Sequence, residues 1–407
     1  MERGLARRSV SVGNVSIGER ERELVGEVLR TMRLTYGPLT RRFERAFARA
    51  HERRVAIFMN SGTSALQVAV DALRLKHGWR PGDEVLVPAL TFVASSNVVI
   101  QNGLRPVFVE IDPLYYELDP SAIEARITPR TRAIMPVHLF GQPCDMDPIM
   151  DVAKAHGLAV VEDSCETMFV RYKGRVTGSW GDASCFSTYV AHLLATGVGG
   201  FATTDDPDLA VRMKSLANHG RDAVYLSIDD DRLEDAGFFD VVDRRFRFVD
   251  VGYSYRATEF EAAIGLAQLE RWESALAARR ERADRLTQRL RRHEELLQLP
   301  AVRPGTEHAF MMYPIVVRHP LRRDDLVHHL EARGIETRPL MPLLSQPAYL
   351  RMFGDLRPGY PVATAVEERG FYVGCHPDLS LDDIDYVCET IDDLLLAHAS
   401  RRAVGVP

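Results

Sequence analysis

One histidine, one aspartate, one serine and a few small residues hold the chemical potential of this chain, and lysine is nearly absent from it. Of 51 basic residues only Lys76, Lys154, Lys173 and Lys214 are lysine, so any amine nucleophile must come from those four. In N-S-G-T-S-A-L-Q, backbone N–H groups around Gly62, Thr63 and Ser64 would face an anion from a strand-to-helix junction, or would simply cap the helix. Phe92, in A-L-T-F-V-A-S, offers a flat ring that could stack on a planar cofactor or pack in the core. Asp163 ends L-A-V-V-E-D, at the edge where open α/β sheets collect their functional groups. A carboxylate there could pair with a protonated pyridine nitrogen and keep that ring an electron sink. The hydroxyl of Ser187 suits a phosphate. His192 follows it in C-F-S-T-Y-V-A-H-L-L-A-T-G-V-G-G, whose glycines permit a tight turn.

The elements that must position these residues can be read from hydrophobic pattern. From Arg54 to about Thr204, the runs V-A-I-F-M, E-V-L-V-P, P-V-F-V-E, R-A-I-M-P-V, L-A-V-V-E, A-S-C-F-S and G-F-A-T-T alternate with helical patterns. That rhythm predicts a mostly parallel sheet covered by helices. The large domain and the N-terminal segment take residues 1–255, a single long helix is expected to bridge over 256–295, and a smaller α+β domain fills 296–407. The acidic stretch S-I-D-D-D-R-L-E-D at 227–235 is expected in a surface loop.

Composition narrows the class. The chain has 407 residues, 46% hydrophobic and 27% charged, which suits a folded protein of two or three domains. A net charge of −6 gives no global positive field for a phosphate polymer, so nucleic acid is excluded as the expected partner. No apolar run suggests a leader or a membrane span, and a cytoplasmic location is expected. Cys144, Cys165, Cys185, Cys375 and Cys388 form no C-x-x-C pair and read as reduced thiols, with no metal site.

In this order, these features resemble the DegT family of sugar-nucleotide aminotransferases and dehydrases. The resemblance runs through T-Y-G-P-L-T-R-R-F-E-R-A-F-A, N-S-G-T-S-A-L, P-V-H-L-F-G-Q-P-C-D-M-D, V-V-E-D-S-C-E-T, V-G-Y-S-Y-R-A-T-E-F-E-A-A-I-G-L-A-Q-L and G-I-E-T-R-P-L. It implies the fold-type I architecture of pyridoxal phosphate (PLP) enzymes: a mostly parallel central sheet flanked by helices, with a smaller C-terminal domain. It assigns Gly62, Thr63 and Ser187 to the cofactor phosphate, Phe92 to stacking, Asp163 to the pyridine nitrogen and Glu166 to the cofactor hydroxyl. Ser254 stands where the family commonly has an asparagine that reaches the partner subunit's phosphate, so a homodimer is implied. Arg338 and Arg221 are candidate substrate contacts. His138, His219 and His376 fall in family-like phrases and read as structural hydrogen-bonders.

The departure is at His192. Aminotransferases of the family carry a cofactor-binding lysine five residues after the phosphate-binding serine, and here histidine holds that place. The same exchange marks the family's sugar 3-dehydrases, which use pyridoxamine phosphate (PMP) held without a covalent link. The resemblance thus implies C3 dehydration of a nucleotide-linked 4-keto-6-deoxyhexose, with an amino donor such as glutamate regenerating PMP. Glu166, preceded by Cys165, leans the same way; Thr188, Val190, Leu193 and Val198 depart from the dehydrase pattern. The scattered cysteines do not reproduce the iron-sulfur pattern of one dehydrase branch. An aminotransferase-like or other atypical PLP reaction is the alternative, and a pseudoenzyme that binds only cofactor or sugar nucleotide is the second.

Overall fold

The computed structural model describes residues 8–222, 238–244 and 246–403; the acidic segment at 227–235 lies outside the described residues. Nine strands of the first half are β1 Val55–Met59, β2 Glu84–Pro88, β3 Arg105–Val109, β4 Thr131–Ile134, β5 Ala159–Asp163, β6 Arg171–Tyr172, β7 Arg175–Val176, β8 Ala183–Ser187 and β9 Gly200–Thr204. All but β6 and β7, which pair with each other, build one sheet in the order β1-β9-β8-β5-β4-β2-β3. Pairing is parallel from β3 through β8, and β9 runs antiparallel to both of its neighbours. Helices cover both faces of such a sheet, so its strands are buried throughout and read as continuous apolar runs.

The sheet collects its functional edge through strand ends. Asp163 ends β5, Ser187 ends β8, and β9 starts beside them with Ser187 opposite Gly200. β1 ends at Met59, also opposite Gly200, and its continuation enters the helix Gly62–His77 at the same edge. That helix is capped by Ser61, whose Oγ accepts from the Ser64 N–H at 3.0 Å, and stops at Gly78 in the left-handed conformation. Its Leu66, Ala69, Val70 and Leu73 pack into the main core with Val85, Val87 and Val161.

A second, antiparallel sheet has the order β10-β11-β13-β12, with β10 Leu297–Gln298, β11 Tyr313–Val317, β12 Arg338–Pro339 and β13 Gly370–Val373. Its core joins Ile315, Val317 and Phe371 to Ile384, Val387 and Ile391 of the C-terminal helix Leu381–Ala403.

Two sequence expectations are corrected. The single helix over 256–295 is two helices, Glu259–Leu269 and Trp272–Leu290. The first packs on Glu19–Thr31 and Pro38–Ala50, the second on the C-terminal helix, and one straight rod does not serve both surfaces. Between them Arg271 turns out of helical geometry and donates to Glu21 Oε1 at 2.6 Å and the Ser16 carbonyl at 2.7 Å. The start of the chain, assigned to the large domain by the 1–255 boundary, packs on the C-terminal side instead. Val10 is buried in that core, its N–H donates to the Gly334 carbonyl, and its own carbonyl accepts from Glu336. Beyond it, Gly13 lies against Ala191, so close that a Cβ would sit 2.7 Å from the alanine methyl.

All five cysteines are free thiols, four of them buried and Cys165 partly exposed. No helix among the described residues is long and apolar enough to cross a membrane.

Candidate active site

The end of β1, the start of the following helix and the edge of β8–β9 are pressed together by missing side chains. A Cβ on Gly62 would lie 2.8 Å from both Cys165 Sγ and Ser187 Cβ, and one on Gly200 would lie 2.4 Å from the Gly62 nitrogen. Glycine at both positions lets the helix N-terminus approach Ser187, and the positive end of a helix dipole then faces the same space as a hydroxyl. The arrangement is one that can hold an anion.

Asp163 sits deeper, 4% exposed. Ser95 Oγ donates to Oδ2 at 2.7 Å and the Cys165 N–H to Oδ1 at 3.1 Å, which fixes the plane of the carboxylate. Ser95 belongs to the helix Val93–Gln101, and Phe92 is the cap residue just before it, 57% exposed. Phe92 is thus a largely exposed aromatic residue on the cavity wall, available to stack on a flat ligand. Glu166 accepts from the Phe140 N–H at 2.9 Å. Burial, with the Asp163 charge adding to it, pushes the Glu166 carboxyl up to about 8, so it holds its proton at neutral pH.

His192 stands on the connection between β8 and β9. The neck of that loop is closed by Thr188 N–H donating to Gly199, Thr196 N–H donating to Thr188, and the two threonine hydroxyls meeting at 2.6 Å. The His192 N–H donates to the Tyr189 carbonyl at 2.9 Å, and Arg279 Nη2 donates to the His192 carbonyl at 3.2 Å. Burial first, and the Arg279 charge after it, push the imidazole down to about 4, so it is neutral and able to take up a proton. Its Nδ1 is closed to solvent and has no hydrogen-bond partner among the described residues.

These pieces line one cavity of about 390 Å³, which brings together Gly62, Thr63, Phe92, Asp163, Glu166, Ser187 and His192. The glycine-lined helix start, the fixed carboxylate, the exposed aromatic residue and the unpartnered imidazole nitrogen fit a flat aromatic phosphate ester with a protonatable ring nitrogen. None of the four lysines lines the cavity. Lys76 pairs with Asp206 and Lys173 with Asp147, while Lys154 and Lys214 lie in the last turns of other helices.

Three candidates fall outside the cavity lining. Ser254 is exposed and accepts from Arg256, beside Asn218 and His219. Arg221 lies over the rings of Phe246 and Phe248, at 5.4 and 5.7 Å. Arg338 is exposed, pairs with Glu336, and stands opposite Tyr372 in the register of β12 and β13. Tyr372, with Met311, Met312 and Met341, forms a wall that local motif reading missed, because it arrives from the second sheet. His138 is buried between Glu162 and the Cys144 N–H, and His376 meets Ser11, so both serve as structural hydrogen-bonders.

A family profile described as the DegT/DnrJ/EryC1/StrS aminotransferase family matches residues 15–392. Among curated relatives, a GDP-perosamine synthase of Caulobacter vibrioides is 39% identical over 95% of this chain and 98% of its own. A dTDP-4-dehydro-2,6-dideoxy-D-glucose 3-dehydratase of Saccharopolyspora spinosa is 34% identical, over 93% of this chain and 85% of its own. Among solved structures, the Escherichia coli GDP-4-keto-6-deoxy-D-mannose-3-dehydratase with bound hydrated PLP superposes with a TM-score of 0.85. It is 26% identical and covers 94% of this chain and 99% of its own.

Proposed function

Because the chain belongs to the DegT/DnrJ/EryC1/StrS aminotransferase family, we propose that it is a PLP-dependent enzyme that removes the C3 hydroxyl of a nucleotide-linked 4-keto-6-deoxyhexose. One observation carries the choice of reaction: histidine, with no lysine beside it, occupies the cavity at position 192.

The family's cofactor, in its amine form PMP, supplies an amine that can join a sugar ketone and a ring that accepts electrons. Gly62, Thr63 and Ser187 would hold its phosphate, Asp163 would keep its ring nitrogen protonated, and Phe92 would cover one face. Without a lysine the cofactor is held non-covalently, so it can leave and be replaced. With the amine form bound, His192, neutral at physiological pH, would take a proton from the amine-bearing carbon at its ring nitrogen and return it to the C3 hydroxyl, which would leave as water, the two electrons gained by the sugar coming from the amine form, left as the aldehyde form PLP. Glu166, protonated under the same conditions, donates a hydrogen bond to the cofactor hydroxyl. An amino donor such as glutamate restores the amine form. The active unit is a homodimer, with Ser254 and the adjoining Arg256 offered to the partner's site from an exposed edge.

Amino transfer is the second reading, and similarity to the perosamine synthase favours it. The assay separates the two: nucleotide-linked 4-keto-6-deoxyhexoses are supplied with PMP and glutamate, and the product is analysed. A 3-deoxy product from wild type, with turnover of His192→Asn slowed by roughly 10²–10⁴, is the expected result. Only an amino sugar with its C3 hydroxyl retained, or an unimpaired His192→Asn, would replace dehydration with the second reading.

A further inference from the structure

The helix Trp272–Leu290 buries Leu276, Arg279, Ala283, Leu286 and Leu290, an apolar stripe broken by one guanidinium. Arg279 is 2% exposed. Its hydrogen bonds go to main-chain carbonyls: Nη1 donates to Met311 at 2.8 Å and Phe310 at 3.3 Å, and Nη2 to His192 at 3.2 Å. The Cys375 side chain and, without an ion-pair contact, the Asp378 carboxylate also act on it; taking a cation out of water without a paired carboxylate is unfavourable, so the residue needs a reason to be there. Its planar fork supplies one. Two nitrogens in fixed relation can hold two stretches of backbone at a set separation, which a flexible ammonium cannot do.

The two stretches meet at the guanidinium on the border of the cavity. His192 lies on the β8–β9 loop, Met311 just before β11, and both line the cavity wall. The threonine bonds close the neck of the loop, the His192 N–H bonds back within it, and Ala191 and Leu194 hold the tip by packing on Gly13 and into the core, so the Arg279 bond is the polar tie that fixes the His192 backbone from outside the loop. Arg279 ties that tip to the Phe310–Met311 backbone. We propose that Arg279 is a positioning residue for His192: its fork sets where the imidazole stands relative to the cavity. The consequence for turnover rests on the reading of His192 as the proton carrier; the positional claim does not.

The experiment is a double-mutant cycle in the full-length protein, with Arg279→Lys and Arg279→Met each made in wild-type and His192→Asn backgrounds. Turnover of the keto sugar is measured with PMP, and PLP affinity by absorbance titration. Alone, each substitution should lower kcat by roughly 10–100-fold, Lys less than Met, with KM and PLP affinity little changed. In the His192→Asn background the same substitution should add almost nothing to the loss. Equal losses in both backgrounds, or PLP affinity falling in step with kcat, would make Arg279 a packing residue only. Arg279→Met strips three carbonyls of their donor; if it fails to fold, the Lys cycle decides alone. A separate readout stands apart from the reaction: side-chain NMR of His192 in the cofactor-free protein, assigned by its loss in His192→Asn. The resonance should move in Arg279→Lys, and an unmoved resonance overturns the proposal even if the reaction proves to be a different one.

Discussion

Ser95 Oγ donates to Asp163 Oδ2 at 2.7 Å, so the carboxylate at the cavity floor is oriented by a residue from the same helix that Phe92 caps. The two groups assigned to the cofactor ring are therefore mechanically linked. Asp163→Asn removes the negative charge and should abolish useful PLP affinity at micromolar concentrations. Ser95→Ala keeps the charge but frees its plane, and should weaken PLP binding by up to roughly 10–150-fold, the usual cost of one hydrogen bond to a charged group. Fluorescence titration with PLP checks both, and Ser95→Ala with unchanged affinity would show that the orientation does not matter.

Borohydride treatment of the PLP-loaded protein, followed by intact-mass measurement, should leave wild type without a cofactor adduct. His192→Lys should gain one, since a primary amine would then face the cavity. An adduct on any native lysine of the wild-type chain would contradict the position of all four outside the cavity.

The neutral imidazole and the protonated carboxyl set a pH window. His192 must be free of its proton, which holds above about 4, and Glu166 must keep its own, which holds below about 8. The kcat/KM of the enzyme should be bell-shaped between those limits, and Glu166→Gln should remove the alkaline limb while retaining most activity near neutrality. Stability follows with a stated sign. The Glu166 pKa is higher folded than unfolded, so its contribution is full at acid pH and is lost as pH rises through about 8. Thermal melting from pH 5 to 9 should flatten in Glu166→Gln.

His51 gives the opposite test. It is fully buried, stacked on Phe47 with ring centroids 4.2 Å apart, its Nδ1 near the Phe47 carbonyl and its Nε2 unpartnered among the described residues. Burial pushes it down to about 3, so the unfolded chain takes up the proton first and stability falls as pH drops from about 6.5 toward 3. His51→Leu should be less acid-sensitive than wild type by roughly 2–3 kcal/mol at pH 4, measured by urea melts. Parallel pH dependence in the two proteins would refute the buried neutral state.

What could be read without coordinates divides along physical lines. Four of the seven main strands, β1, β2, β8 and β9, match their expected runs residue for residue, because strands buried on both faces are built mostly of apolar and small uncharged residues in short runs. The break at Glu270–Arg271 carries no proline or glycine, and its cause, the two docking surfaces and the pull of Glu21 on Arg271, is tertiary. The residues on the strand ends came together in the cavity because the sheet topology itself delivers them there. Arg338 and Arg221 did not join them; their partners Glu336, Phe246 and Phe248 are equally invisible to a motif. Tyr372 and Met311 reach the cavity from the second sheet, and no spacing rule connects them to Asp163. Arg279 was no more legible, being one of five arginines on its helix, and its burial comes from tertiary packing.

The antiparallel direction of β9 has an evolutionary implication. A parallel successor to β8 would require a long crossover to the far edge of the sheet, whereas β9 returns at once, clamped by Ser187 opposite Gly200 and by Thr188 against Thr196. Position 192 thus rides on a short span whose two ends are secured independently of what its side chain is. On the proposed reading of His192, exchange of the residue there would alter the reaction class without disturbing the sheet, the glycine-lined helix start or the Asp163 floor, and this one position would be an inheritable selector between chemistries on a common scaffold.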